Sequence, residues 1–435
     1  MSLAMHITRR ARLAGQMGEG IAILPTAPEL FRNADASFPY RFDSSFHYLT
    51  GFAEPEAVMV LIAGEQRRSV LFCRAKDPER ETWEGFRSGP DAAREQFGFD
   101  EAYPIDELDR RIPLLLENQP RLYAMLGADA VWDARMIGWL NEVRSRIRTG
   151  IQVPAGICDL RSLVHEMRLI KDENELAIMR HAGQIARDAH IRAMQFTRPG
   201  LYEYEVEAEL LHEFYRQGSR FPAYSSIVAS GSHACVLHYV ENRSRIQDGD
   251  LLLIDAGCEW NGYASDITRT FPANGRFSAA QRDVYEIVLA AQLAAIDAAL
   301  PGNGWNGPHD AALRVLVQGM LDLKLLQGSA DSVIESESYK QFYMHRTGHW
   351  LGMDVHDVGD YKLNGQWREL QPGMVLTIEP GLYLRPADNV PASLANIGIR
   401  IEDDVAIVAG GHEVLTARTP KSVAEIESTM AVERC

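Results

Sequence analysis

The dipeptide Asn261-Gly262, set between two apolar runs, constrains this chain more than any other feature. Asn-Gly is the strongest short-range signal for a two-residue β-hairpin turn, because both central positions of that turn need a positive φ. The run Asp250-Leu-Leu-Leu-Ile-Asp255-Ala-Gly-Cys-Glu-Trp260 precedes it, and Tyr263-Ala-Ser-Asp266-Ile-Thr-Arg-Thr-Phe271 follows. With the turn at 261–262, Trp260 pairs with Tyr263 and Gly257 falls opposite Asp266. Asp255, two residues from Gly257, then points to the same face as Asp266, at a diagonal Cα separation of roughly 7–8 Å. Two carboxylates reaching across that gap can hold metal ions between them; equally they can face water, the usual fate of aspartate. A slip of one residue would send them to opposite faces. Asp255 closes a run apolar enough to be fully buried, where an unpaired ionised carboxylate is costly.

Two more apolar strands end on acids. Val375-Leu-Thr-Ile-Glu379-Pro380-Gly381 closes one, and Ile397-Gly-Ile-Arg400-Ile-Glu402-Asp403-Asp404 closes another. Alternation puts Arg400 on the face of Glu402, with Ile399 and Ile401 opposite. A plain ion pair of Arg400 with Glu379 or Glu402 would account for either acid alone. Histidines gather in Tyr343-Met-His345-Arg-Thr-Gly348-His349-Trp-Leu-Gly352-Met-Asp-Val-His356, and His238 stands in Cys235-Val-Leu-His238-Tyr-Val-Glu241. One histidine on an apolar stretch is usually a hydrogen-bonded core residue; the cluster from His345 to His356, with glycines between, shifts the balance. The pattern is not the HExxH zinc helix, since Arg346 follows His345. Carboxylates and an imidazole gathered at one point repel one another when empty, and two divalent cations relieve that repulsion. An oxygen-rich set with one nitrogen suits Mn(II), Co(II) or Zn(II) better than Cu(I). Together these residues point to a two-metal hydrolase.

A chain of 435 residues, 46% hydrophobic, is long enough for two domains. Gly20–Leu24, Ala57–Ile62 and Ser69–Cys73 read as strands, while 106–116 and 133–147 carry helical spacing. Val153-Pro154-Ala155-Gly156 breaks the pattern before a connecting helix at 159–170. Asp172 with Glu175 three residues on forms a capping box and starts a new helix. The domain boundary falls there, giving 1–170 and 171–435. Long helices at 204–217, 279–300 and 308–323 then alternate with apolar strands. Gly302-Asn-Gly304-Trp-Asn-Gly307 fits GxGxxG, but it follows an alanine-rich helix rather than a strand and reads as a helix–helix connection. No GxxxxGK[ST] loop or GxSxG elbow is present. The net charge of −16 argues against nucleic acid as a general partner, and no apolar run reaches membrane-spanning length. Five scattered cysteines (Cys73, Cys158, Cys235, Cys258, Cys435), with no CxxC pair, imply a reducing compartment and a cytoplasmic enzyme.

In order and in wording these motifs resemble the pita-bread metallopeptidases, the family of methionine aminopeptidase, prolidase and aminopeptidase P. The succession Asp255, Asp266, His349, Glu379, Glu402 is similar to that family's metal-ligand order. LLIDAG, SDITRTFP, HWLGMDVHDVG, TIEPGLY and GIRIEDD look like aminopeptidase P, as does the leading run from Phe31 to Ala57. The resemblance covers nearly the whole chain. It implies an α/β (α+β) fold, with an N-terminal mixed α/β domain like the creatinase leading domain followed by a pita-bread catalytic domain. It also implies an Xaa-Pro aminopeptidase, hydrolysing the bond before a penultimate proline through a hydroxide bridging two divalent metal ions, Mn(2+) first and Co(2+) or Zn(2+) as substitutes. On this resemblance Asp255 would hold one metal, Asp266 and Glu402 would bridge both, and His349 and Glu379 would complete the other. Glu379 would shuttle a proton to the leaving nitrogen. His238 and His356 would position the peptide and steady the oxyanion, and His345 would reach the proline pocket. Arg400, with Tyr383 beside it, would orient the ligand carboxylates.

Asp35 and Trp83 match leading-domain positions that in this family lie near the active site across subunit contacts, within a homo-oligomer (dimer or tetramer). The implied partners are peptides with proline second. Prolidase, confined to Xaa-Pro dipeptides, shares the chemistry. A non-catalytic peptide-binding protein shares the fold, but such relatives lack the ligands this chain keeps. Creatinase-like amidinohydrolysis shares the fold without the metal ligands.

Overall fold

Short apolar runs bounded by turn residues build the first sheet. β1 (Gly20–Pro25), β2 (Val58–Ala63) and β3 (Arg68–Cys73) lie side by side and antiparallel, with Ile23 opposite Val60 and Val60 opposite Val70. β4 (Glu101–Pro104), β5 (Arg121–Ala124) and β6 (Gly156–Asp159) join in parallel, giving the order β4-β3-β2-β1-β5-β6. A parallel neighbour needs a crossover connection, and between β5 and β6 the helix Ala130–Ser145 supplies it. That helix buries Met136, Trp139, Leu140 and Val143, a stripe at helical spacing, in one core with Ile21, Val60 and Phe72. The computed structural model describes residues 3–432 and divides after Arg168 into two units, of which this sheet centres the first. The three strands expected here from the sequence form to within one residue at each end.

Two local features differ from the sequence reading. A helix, Leu3–Met17, forms ahead of β1, where the sequence pattern marks no element. Arg10 sits on its buried face, stacked over Phe99 at 4.2 Å and donating to the carbonyls of Leu49 and Gly98. Its apolar stem packs while its head finds acceptors, so charge masks the helical period. The helix expected from Asp106 starts as a 3₁₀ turn, Ile105–Glu107, before Leu108–Leu116.

The second unit opens on the capping box. Asp172 accepts from the N–H groups of Asn174 and Glu175, and the Glu175 carboxylate accepts the Asp172 N–H. The helix so started, Glu173–Phe196, packs against Glu203–Arg216. Ala279–Ala298 and Gly307–Asp322 approach so closely that a Cβ on Gly319 would lie 2.4 Å from Ile287 Cγ2. The Gly302–Gly307 stretch joins these two helices, as its context predicts. Of the strands, β7 (Ile227–Ser230), β8 (Leu251–Asp255) and β9 (Thr268–Pro272) form one antiparallel sheet. β10 (Val375–Ile378), β11 (Gly381–Leu384), β12 (Ile397–Arg400) and β13 (Asp403–Val408) follow, with β10 paired to β13 and β11 to β12. Leu252, Phe271, Val288, Leu316 and Leu376 share one core, and the acids stand at the strand ends. Among the described residues no helix is long and apolar enough to cross a membrane. Cys73, Cys158, Cys235 and Cys258 are free thiols; Cys435 lies outside the described residues.

Candidate metal centre

The hairpin supplies two acids. Asn261 and Gly262 take φ values of 50° and 80°. Trp260 pairs with Tyr263, and the same register puts Asp255 opposite Thr268. Between these pairs the strands close so tightly that a Cβ on Gly257 would lie 1.7 Å from the Ser265 carbonyl oxygen. Asp255 and Asp266 project to one side, where the Tyr224 hydroxyl lies 2.6 Å from Asp255 Oδ1 and also touches Asp266 Oδ1. A single phenolic proton serves only one of these contacts. The other calls for a proton on Asp266 or a cation among the oxygens.

The histidine comes from the loop before β10. His349 Nδ1 lies 3.0 Å from the Trp350 carbonyl oxygen. A carbonyl can only accept, so Nδ1 carries a proton, and in the neutral ring, the form a metal binds, Nε2 has the lone pair. Nε2 stands 3.4 Å from Asp266 Oδ2 and 3.8 Å from Glu379 Oε1. Gly348 lets the loop lie on β10, since a Cβ there would come within 2.0 Å of the Thr377 carbonyl oxygen. The Glu379 N–H donates to Thr347 at 2.7 Å, which ties the end of β10 to the same loop. Glu402, just past β12, accepts from the Thr268 hydroxyl at 2.6 Å. One ligand atom each from Asp266, His349 and Glu402 lie within 4.8 Å of one another, and Asp255 and Glu379 border the same cavity.

Arg400 forms neither of the ion pairs that would have explained Glu379 or Glu402 by themselves. Its Nη2 donates to Asp255 Oδ2 at 2.6 Å, its Nε to the Thr268 hydroxyl at 3.1 Å and its Nη1 to the Tyr383 hydroxyl at 3.1 Å. Tyr383 in turn donates to His345 Nε2 at 2.8 Å, and His345 Nδ1 donates to the Arg346 carbonyl at 2.8 Å. His345 is thereby a neutral acceptor. Burial, followed by the charge of Arg400, lowers its pKa to about 4.

Charge without compensation marks the centre. Burial and then Asp255 raise the Asp266 carboxyl well above its ordinary range. Burial and then Asp266 do the same to Glu402, and burial and then Glu402 push Glu379 up to about 8. Divalent cations would reverse those shifts. Carboxylate oxygens plus one imidazole with its lone pair free fit hard or borderline ions.

The cavity, about 460 Å³, is bordered by Asp255, Asp266, His349, Glu379 and Glu402, with His238, His345, His356 and Arg400; Tyr383 stands behind Arg400 and His345. His356 packs edge-on against His349 with ring centres 4.4 Å apart. Ile227, Leu237, Val240 and Val355 give the cavity apolar lining. Asp35 and Trp83 lie exposed in the first unit. Tyr224, Thr268 and Asp404, whose Oδ2 accepts the Asp266 N–H at 3.1 Å, escape the sequence reading. Thr268 had a signal, because Asp266, Thr268 and Thr270 alternate as polar residues along a buried strand.

Residues 177–409 match the sequence profile of metallopeptidase family M24, and residues 6–123 that of the aminopeptidase P N-terminal domain. The chain belongs to metallopeptidase family M24. This M24 chain is 46% identical over 424 residues to an Xaa-Pro aminopeptidase of Haemophilus influenzae, covering 97% of this chain and 96% of that one. The structure of aminopeptidase PepP from Pseudomonas aeruginosa matches with a TM-score of 0.98 at 53% identity, covering 99% of this chain and 98% of that one. A Glu-to-Ala variant of Escherichia coli aminopeptidase P in complex with substrate matches with a TM-score of 0.96 at 45% identity, again covering 99% of this chain and 98% of that one. The fold class is α/β, a mixed leading domain followed by a pita-bread metallopeptidase domain.

Proposed function

We propose that this chain removes the first residue of peptides whose second residue is proline. One observation carries the reading above others. Four carboxylates, those of Asp266 and Glu402 buried and those of Asp255 and Glu379 partly so, and one imidazole converge on a single cavity, in a chain similar over its whole length to an Xaa-Pro aminopeptidase. Asp255, Asp266, His349, Glu379 and Glu402 would hold two divalent cations, Mn(2+) first and Co(2+) or Zn(2+) as substitutes. Bound there, such cations supply Lewis acidity and bring the pKa of water towards neutrality. Glu379 takes the proton of the attacking water and passes it to the proline nitrogen as the C–N bond breaks, leaving the hydroxyl on the carbonyl carbon. His238 and His356 orient the peptide and donate to the developing oxyanion. Arg400 acts through Asp255, and with Tyr383 and His345 it keeps the carboxylates in one orientation.

In this reading the chemistry lies within 171–435 and 1–170 forms the leading domain. The enzyme is cytoplasmic, a homo-oligomer (dimer or tetramer), and acts on peptides rather than nucleic acid or membrane. Prolidase is the second reading, since it would use the same residues; similarity along the full chain to Xaa-Pro aminopeptidases weighs against it. Exhaustive chelation is expected to abolish hydrolysis and Mn(2+) to restore it. Among Xaa-Pro, Xaa-Pro-Yaa and longer peptides, the tripeptide and longer substrates should turn over. Confinement to the dipeptide would establish prolidase, and activity that survives chelation would remove the metal assignment.

A further inference from the structure

Glu203 opens the helix Glu203–Arg216 and is 0% exposed. Its Oε1 accepts from the Ser230 N–H at 2.8 Å, the Ser230 hydroxyl at 2.7 Å and His233 Nδ1 at 3.3 Å. Its Oε2 accepts from the Tyr239 hydroxyl at 2.8 Å and the Ser244 N–H at 2.8 Å. All these donors belong to one segment, which leaves β7 at Ser230, makes a 3₁₀ turn over Gly231–Cys235 and returns at Ser244. The segment carries Leu237, His238 and Val240, which line the cavity. Tyr239 turns inward, 8% exposed, with its ring stacked on His233 at 4.4 Å. Its neighbour His238 is then left to the cavity side.

We infer that Glu203 is a positioning residue, holding both ends and the middle of the Ser230–Ser244 loop and so setting where His238 meets the peptide. The inference rests on the role proposed for His238. A carboxylate is needed because the two backbone N–H groups, of Ser230 and Ser244, bind different oxygens. An amide in its place would turn its NH2 towards one of them whichever way it was flipped, setting donor against donor. Glu203→Gln, nearly isosteric, releases one end of the loop without opening a void.

The test compares the full chain with Glu203→Gln, His238→Ala and the double variant, each loaded with Mn(2+) and assayed for kcat and KM on an Xaa-Pro-Yaa peptide. Glu203→Gln is expected to lower kcat/KM roughly tenfold, the scale of a small misplacement of a positioning group. Added to His238→Ala it should lower it little further, because the two act through one group. Metal content should stay at the parent level. Hydrogen exchange across 231–243 should quicken in Glu203→Gln while that of 251–255 and 375–378 does not, a readout independent of hydrolysis. Losses that multiply in the double variant overturn the proposal, as do unchanged kcat/KM and exchange. If Glu203→Gln does not fold, Tyr239→Phe removes one of the five bonds, keeps the stacked ring, and runs the same cycle with a smaller loss expected. If the parent hydrolyses none of these peptides, the proposed activity falls, and the exchange result alone decides whether Glu203 holds the loop.

Discussion

Replacing Arg269 with methionine should destabilise the second unit far more than protonating its partner does. Arg269 is 0% exposed, and its guanidinium donates to the carbonyls of Thr268, Glu402, Thr419 and Pro420 and to Asp403 Oδ1 at 2.8 Å. Asp403, also 0% exposed, further accepts from Lys421 at 2.8 Å, Gln292 at 2.7 Å and the Thr416 hydroxyl at 2.8 Å. Burial would raise this carboxyl, but Arg269 and Lys421 outweigh it and hold the pKa at about 2, against an ordinary 3.8. That depression corresponds to about 2 kcal/mol of stability at neutral pH. Because the folded pKa is the lower one, this contribution is complete above about pH 4 and is lost as pH falls towards about 2. Removing the arginine is worse. Asp403 keeps its charge with part of its compensation gone, and several carbonyls lose their donor. Breaking a buried pair in this way typically costs about 3–5 kcal/mol, a large share of the roughly 5–15 kcal/mol of a whole domain. Urea titration read by peptide-resolved hydrogen exchange over 265–272 and 403–408 follows this unit apart from the first. Arg269→Met should lose about 3–5 kcal/mol, and Arg269→Met with Asp403→Leu should lose less than the single variant, since the charge then left without its partner is Lys421, which keeps Gln292 and lies nearer solvent than the fully buried Asp403. A single variant within about 1 kcal/mol of the parent, or a double variant worse than the single, would refute the reasoning.

Other substitutions test the centre itself. His349→Ala removes the imidazole whose Nε2 faces both Asp266 and Glu379, so metal bound per chain should fall along with hydrolysis; full metal content would disprove its role as a ligand. Arg400→Lys replaces a fork that reaches Asp255, Thr268 and Tyr383 at once by a single ammonium. Co(2+) affinity should weaken roughly 10–100-fold in a spectroscopic titration, and an unchanged titration would show that the fork is dispensable. Gly348→Ala puts a Cβ 2.0 Å from the Thr377 carbonyl oxygen. It should lose about 1–3 kcal/mol in thermal unfolding together with metal affinity, and a variant that melts with the parent would mean that the loop can move off β10.

The face on which each acid stands is legible from the chain because strand geometry is periodic. Asn261-Gly262 sets a register that persists down to Asp255 opposite Thr268, so one turn decides where both aspartates point. Glu379 and Glu402 are visible as acids closing buried strands. Partners are less legible. Alternation places Arg400 on the face of Glu402, yet its shortest bond runs to Asp255, on a strand of another sheet. Face is a local property, whereas the choice among acids on one face depends on how sheets pack. Tyr224 stands in a short run of Pro, Ala and Ser without a period, so nothing in the sequence marks its hydroxyl. The helix Leu3–Met17 is masked for a different reason: Arg9 and Arg10 occupy its buried face, where apolar residues would have announced it.

Glu402-Asp403-Asp404 reads as one acidic patch, but the backbone gives its members three fates. Asp403 meets Arg269 and Lys421. Asp404 accepts the Asp266 N–H, and burial, then Asp266, raises its carboxyl. Glu402 borders the cavity with only the Thr268 hydroxyl on its carboxylate among the hydrogen bonds of the described residues. An arginine or lysine fixed on Glu402 would occupy the lone pairs that a metal ion needs. The chain instead directs Arg269 and Lys421 to Asp403, and Arg400 to Asp255. Among the described residues, Asp266, Glu379 and Glu402 have no arginine or lysine within ion-pair distance. The two acids assigned to bridge both ions are therefore among those left without a fixed counter-charge. The deficit sits where two cations would bind, and neutralising it with a permanent side chain would make the fold more self-sufficient at the expense of the site.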